Sequence, residues 1–167
     1  MVDLKEFEQK AADLRVLGMK ISIGQDTVYE KYWDEDCRRN IYSASKSFTS
    51  CAVGFAVQEG LIDLDERLMD AFKEDIPNNP DENLKKATVK DLLTMTLGQE
   101  KGFLMGKQRP RMEEQNWVKA SLAIPFVYEP GTHFVYNNVG PYLAGILVQR
   151  RAGCDLLSYL TPRLLKP

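Results

Sequence analysis

Apolar residues along the chain repeat with two periods. Leu4, Phe7, Ala11, Leu14 and Leu17 recur at helical spacing and predict an amphipathic helix over 3–17, ended by Gly18. Met19, Ile21 and Ile23, then Val28, Tyr29, Tyr32 and Trp33, alternate around Gly24-Gln25-Asp26-Thr27 and predict a β-hairpin. A hairpin alone is marginal in water, so it expects a helix or further strands to cover it. A charged loop, Asp34 to Asn40, follows. From Ser43 to Glu59 the residues are almost all apolar or small, including Phe48, Cys51, Ala52, Val53, Phe55, Ala56 and Val57, and Gly60 ends the run. A helix apolar on nearly all sides is expected to be buried and central.

The second half reads as short helices joined by loops. Leu61 to Leu68 predicts a turn and a short helix, and Pro77 to Asp81 a loop. Thr88-Val89-Lys90-Asp91 has the form of a capping box before Leu92, Leu93, Met95 and Leu97, with Gly98 as the stop. Residues 99–111 hold Lys101, Lys107, Arg109 and Arg111 among glycines and a proline, which suits a solvated loop or the flank of a cleft. A helix is predicted over 112–123 around Trp117, then a Pro130-Gly131 turn. A helical run through Tyr142, Leu143, Ile146, Leu147 and Val148 ends at Gly153, and Asp155 caps a last helix that Pro162 interrupts.

Composition adds limits. The chain has 167 residues, enough for one domain and one core, with 44% hydrophobic and 28% charged residues. Its 22 basic and 24 acidic residues give a net charge of −2, so nothing favours nucleic acid or an anionic membrane as a partner. Cys37, Cys51 and Cys154 are too scattered for a disulfide framework, and with the single His133 they match no zinc spacing. Cys51 and Cys154 are expected to be small buried residues. There is no signal-peptide pattern and no apolar stretch long enough to span a bilayer, so the chain as written reads as cytoplasmic.

The candidate chemistry is a serine and a lysine three residues apart, Ser43 and Lys46, at the start of the long apolar helix. That spacing puts both side chains on one helix face. The helix N-terminus offers free N–H groups and positive potential to an oxygen nucleophile. By chance alone, roughly one Ser-x-x-Lys is expected in a chain of this size. The alternatives are poorer: a Ser-His-Asp triad would need His133, no Gly-x-Ser-x-Gly elbow is present, and no phosphate-binding loop exists. Tyr136 and Asn138 are the further candidates. In an extended segment they point to one side, towards a cleft, although an edge-packed tyrosine and a helix-capping asparagine would read the same way.

Together these stretches resemble the serine β-lactamase and penicillin-binding-protein superfamily, nearest to class C β-lactamases and the related esterases and D-aminopeptidases. The resemblance runs through Ser43-Ala44-Ser45-Lys46, Gln58 to Asp65, Val89 to Gly98 (with Leu97 in place of the usual serine), Glu129-Pro130-Gly131 leading to Tyr136-Asn137-Asn138, and Leu164 to Pro167. It implies an α+β fold of the β-lactamase/transpeptidase type. Residues 1–167 would be a single truncated domain, mostly helical with one hairpin, lacking the C-terminal strands of the sheet. It implies that Ser43 is acylated, that Lys46 accepts its proton or stabilises charge, that Tyr136 carries a proton to the leaving group, and that Asn138 binds the substrate. No cofactor or metal is implied. Substrates would be a β-lactam, a D-amino-acid peptide or an ester. The family's third motif, Lys-Thr-Gly or His-x-Gly on a strand, has no match after Asn138. This leaves a non-catalytic module that binds cell-wall peptide or β-lactam as the rival. Self-association, or pairing with a missing C-terminal half, is the expected partner behaviour.

Overall fold

The computed structural model describes residues 3–35 and 37–166. Asp36 of the expected charged loop and Pro167 of the last matched stretch lie outside them. The chain forms two compact units, 1–41 and 42–167.

In the first unit, helix α1 (Lys5–Ala11) accompanies a hairpin of β1 (Gly18–Ile23) and β2 (Asp26–Tyr32). The strands are antiparallel, with Ile21 opposite Tyr29 and Ser22 opposite Thr27, so Val28 is the extra residue of a bulge. Helix and hairpin are joined by polar and aromatic contacts. The Tyr29 hydroxyl donates to Glu8 Oε1 at 2.9 Å, Lys31 pairs with Glu8 Oε2, and Phe7 meets Trp33 edge-on at 5.9 Å. The helix is shorter than the pattern predicts. Arg15 turns into the left-handed region (φ 53°) and the Val16 N–H closes on the Ala11 carbonyl, so Leu14 and Leu17 stay exposed. Among the described residues neither outer edge of the hairpin has a strand partner.

The second unit is helical: α2 (Ser45–Gln58), α3 (Leu68–Ala71), α4 (Glu82–Lys86), α5 (Val89–Thr94), α6 (Trp117–Leu122), α7 (Val139–Ala152) and α8 (Leu156–Leu160). α7 lies at its centre, packed on α2, α5 and α8. Ala52, Val53 and Ala56 of α2 and Leu143, Ala144, Leu147 and Val148 of α7 build the core with Leu68, Phe72, Leu92 and Leu122. Contact with α5 is backbone to backbone: a Cβ on Gly140 would lie 2.3 Å from the Leu92 carbonyl oxygen.

Several expectations are corrected. α2 is buried on one side, not all round, because α7 and α8 cover only the Ala52–Val53–Ala56 face. Phe48, Cys51 and Val57 are exposed on the others, and Cys154 is exposed just past the Gly153 cap. Apolar composition reports how many residues are fit for burial, not how many neighbours arrive. α5 stops at Thr94, with Met95 in the left-handed region as its cap; Gly98 instead lets the chain pass the Tyr128 carbonyl, which a Cβ would meet at 2.2 Å. α6 begins at Trp117, five residues later than predicted, because the Asn116 side chain caps it by accepting from the Val118 and Lys119 N–H groups. The expected capping box forms, the Asp91 carboxylate accepting from the Thr88 N–H at 2.9 Å. No helix among the described residues is long and apolar enough to cross a membrane.

Candidate active site

Ser43 sits in a 3₁₀ turn, Tyr42–Ala44, that runs directly into α2. The turn opens with Tyr42 at φ 46°, an uncommon conformation for a residue with a side chain. Ser45 fixes the turn by donating its hydroxyl to the Tyr42 carbonyl at 2.6 Å. One turn on, Lys46 is half-buried and reaches back, its Nζ donating to Ser43 Oγ at 3.2 Å. The sequence spacing of three is therefore used as helix geometry predicts.

Two further side chains arrive from the segment before α7. Tyr136 Oη donates to Ser43 Oγ at 2.8 Å, across 93 residues of sequence. Asn138 Oδ1 accepts from Lys46 Nζ at 2.8 Å. All four sequence candidates thus form one connected cluster. Lys46 Nζ also lies 5.3 Å from the centre of the Tyr136 ring. The hydrogen bond to Ser43, and then the bond and charge of Lys46, hold the Tyr136 hydroxyl below the ordinary tyrosine value of 10.0.

The far end of the Asn138 amide is anchored by the 99–111 loop, at two carbonyls that the sequence did not single out. Its Nδ2 donates to the Leu104 carbonyl at 3.0 Å, and its main-chain N–H donates to the Phe103 carbonyl at 3.2 Å. A carbonyl accepts and the lysine Nζ–H groups donate, so the amide has one orientation that satisfies both neighbours. Leu104 is itself buried and left-handed (φ 56°). Gly102 leaves room beside it, since a Cβ there would lie 2.8 Å from the Tyr136 carbonyl oxygen. Among the described residues, three of the four non-glycine ones with positive φ, Tyr42, Met95 and Leu104, thus adjoin the site or the segment leading to it; Met95 accepts from the Val135 N–H at 3.0 Å. Such clustering of unfavourable backbone is common where side chains must be aimed. The basic residues of this loop stay exposed while Leu104 turns inward, so the stretch is both solvated and a flank of the site.

His133 is elsewhere. Its Nδ1 is 2.8 Å from Thr132 Oγ1, and its ring stacks on Tyr128 at 4.2 Å. Among the described residues no group of three His, Cys, Asp or Glu side chains could hold a metal.

The β-lactamase family model matches residues 5–167. The chain belongs to the β-lactamase family. It is 30% identical over 154 residues to the monacolin J acid methylbutanoyltransferase of Aspergillus terreus, a match covering 80% of this chain and 36% of that protein. It is 29% identical over 147 residues to the lovastatin esterase of Penicillium rubens, covering 75% and 36%. The chain thus spans little more than a third of the curated relatives it matches. Its fold is that of the octameric penicillin-binding protein homologue from Pyrococcus abyssi (TM-score 0.74, 24% identity, 99% of this chain and 43% of that one). A class C β-lactamase shares it as well (TM-score 0.75, 18% identity, 97% and 46%). The fold class is therefore α+β of the β-lactamase/transpeptidase type, represented by helices and one hairpin.

Proposed function

We propose that this β-lactamase-family chain carries the nucleophile of a serine acyl-transfer hydrolase, with Ser43 acylated and Lys46 and Tyr136 handling its proton. The observation that carries this reading is that Lys46 Nζ and Tyr136 Oη both converge on Ser43 Oγ, at 3.2 and 2.8 Å. A phenol with a lowered pKa can act as the base that histidine supplies in other serine hydrolases. In the first step Ser43 Oγ bonds to the substrate carbonyl carbon and its proton passes to the Tyr136 phenolate. The bond from carbonyl carbon to leaving group then breaks, and Tyr136 returns the proton to the leaving oxygen or nitrogen. Water or an acceptor hydroxyl reverses the sequence and releases the acyl group. Lys46 stabilises negative charge on either oxygen, and Asn138 presents its amide beside the bond that breaks.

The curated relatives are named as an acyltransferase and an esterase, which favours an ester over a β-lactam or a D-amino-acid peptide as the substrate. Residues 139–167 contain nothing resembling the family's third motif. Acylation of this chain is expected to be slower by about 10²–10³ than that of a polypeptide that supplies the missing oxyanion donor.

The test is intact-mass analysis after incubation with a fluorophosphonate ester. One adduct on Ser43, absent from the Ser43→Ala variant, is the expected result. An unlabelled chain, or a variant that takes the same adduct, overturns the assignment.

A further inference from the structure

We infer that Asn137, between the two site residues Tyr136 and Asn138, is a positioning residue that aims both of them at Ser43 and Lys46. The inference rests on the acyl-transfer reading above for its functional meaning, but its structural grounds are separate. Asn137 is 1% exposed. Its Oδ1 accepts from the Gly140 N–H at 3.1 Å, so it caps the first turn of α7. Asn138, the residue at the helix boundary, makes no side-chain cap. Capping has moved back by one residue, and the Asn138 amide is thereby free to bind Lys46 and Leu104.

Asn137 also carries a cost. Its Nδ2 is buried and has no hydrogen-bond partner among the described residues. Leaving such a donor unpaired carries a desolvation penalty comparable with what a cap contributes. Serine or threonine would cap the helix without that burden. Stability alone therefore does not favour asparagine here, and local rules are most often broken where a site needs a particular geometry.

The geometry needed is visible in the backbone. The segment is held on one side by the Val135 N–H on the Met95 carbonyl and on the other by the Asn138 N–H on the Phe103 carbonyl. Between these two points Asn137 points into the core while its neighbours point to the site. A shift of the inward residue moves both outward ones. Each of their contacts, Tyr136 to Ser43 and Asn138 to Lys46, is 2.8 Å long, and a hydrogen bond weakens steeply once stretched by an ångström.

The experiment compares wild type with Asn137→Ala and Asn137→Ser, using Leu147→Ala as a core-destabilised control. Two quantities are read on protein shown to be folded by circular dichroism. They are the rate of Ser43 labelling by a fluorophosphonate and the titration of Tyr136, followed by ¹³Cζ-tyrosine NMR with the resonance assigned from Tyr136→Phe. Asn137→Ala is expected to slow labelling by about 10–100-fold and to return Tyr136 towards the ordinary tyrosine pKa. Asn137→Ser, whose hydroxyl reaches less far, folds as a competent cap and shows a smaller change in the same direction, about threefold or more in rate. Leu147→Ala labels as wild type. A folded Asn137→Ala variant with wild-type labelling and titration overturns the inference; if that variant does not fold, the same result in Asn137→Ser does so. Should wild type take no label, the acyl-transfer reading fails. The positioning claim is then judged on the Tyr136 titration, which needs no reaction.

Discussion

Tyr136 Oη stands 2.8 Å from Ser43 Oγ, although 93 residues separate them in the chain. In this arrangement the phenol donates to the serine. For Ser43 to act as a nucleophile the bond must reverse, with the serine proton moving to a phenolate. The Tyr136 pKa is lowered by its bond to Ser43 and by Lys46, so phenolate forms at lower pH than for an ordinary tyrosine. The rate of Ser43 acylation is therefore expected to rise with pH and to level off below pH 10, where a free tyrosine is only half ionised. Tyr136→Phe keeps the ring and removes the proposed base. It should lower the rate by about 10²–10⁴ and abolish that rise. A stopped-flow pH–rate profile of labelling checks this, and an unchanged profile in the variant would exclude Tyr136 as the base.

Lys46 is the link between Ser43 and Asn138, since its Nζ donates to both. Lys46→Met removes two hydrogen bonds and the positive charge near Tyr136. The Tyr136 titration should move up, and labelling should slow by about tenfold to a hundredfold, the worth of a hydrogen bond to a charged group. Lys46→Arg should not restore the rate, because a planar fork cannot occupy the point between Ser43 Oγ and Asn138 Oδ1. Recovery of wild-type labelling in Lys46→Arg would show that charge alone suffices.

What the sequence disclosed, and what it concealed, follows from physics. Ser43 and Lys46 were legible because helix spacing fixes their relation locally, and Tyr136 and Asn138 because alternation in an extended segment does the same. Their meeting across the fold was legible only from the order of several individually weak motifs. The anchoring carbonyls of Phe103 and Leu104 left no such trace, because every residue has a carbonyl. The hints were the reading of 99–111 as a possible cleft flank and Gly102 within it, where a side chain would strike the Tyr136 backbone. The exchange of capping duty between Asn137 and Asn138 was hidden for a similar reason: two adjacent asparagines at a helix start read alike. The exposed faces of α2, with Phe48 and Val57, were misread because periodicity measures which residues can be buried, not what is present to bury them.

The end of α2 is tied to α8 and to the turn Thr161–Leu165 that follows it by three side chains, and this cluster should govern stability at high pH. Tyr159 is 2% exposed and donates to Glu59 Oε2 at 2.8 Å, while Arg163 donates to Glu59 Oε1 at 2.6 Å and lies over the Tyr159 ring. Burial, then the Glu59 carboxylate, pushes the Tyr159 hydroxyl up to about 12. A raised folded-state pKa means a contribution present in full below the unfolded value of about 10 and lost as pH climbs through about 12. Between those limits Tyr159 should take about 2–3 kcal/mol from the folded state. Tyr159→Phe should be less stable at pH 7 by about 1–2 kcal/mol through the lost hydrogen bond, yet lose less on going from pH 10 to pH 12. Urea melts at the two pH values test this, and parallel losses in both proteins would contradict it.

Gly140 offers a test in which two effects have opposite signs. In the first turn of α7, replacing glycine by alanine ordinarily favours a helix by about 1 kcal/mol. Here a Cβ would stand 2.3 Å from the Leu92 carbonyl oxygen of α5, well inside van der Waals contact, and the opposing atom is backbone that cannot swing aside. Separating α7 from α5 would loosen Leu92, Leu143 and Val139, all fully buried. Overpacking of this kind typically costs 1–3 kcal/mol and here meets main chain on both sides, so about 3 kcal/mol is expected. The steric term outweighs propensity, and Gly140→Ala should lower the melting temperature. The Asn137 cap lies on the Gly140 N–H, so the same variant should also slow Ser43 labelling. A melting temperature equal to or above wild type would mean that α7 can slide on α5 without cost, and that the segment carrying Tyr136 and Asn138 is held less rigidly than the contacts imply.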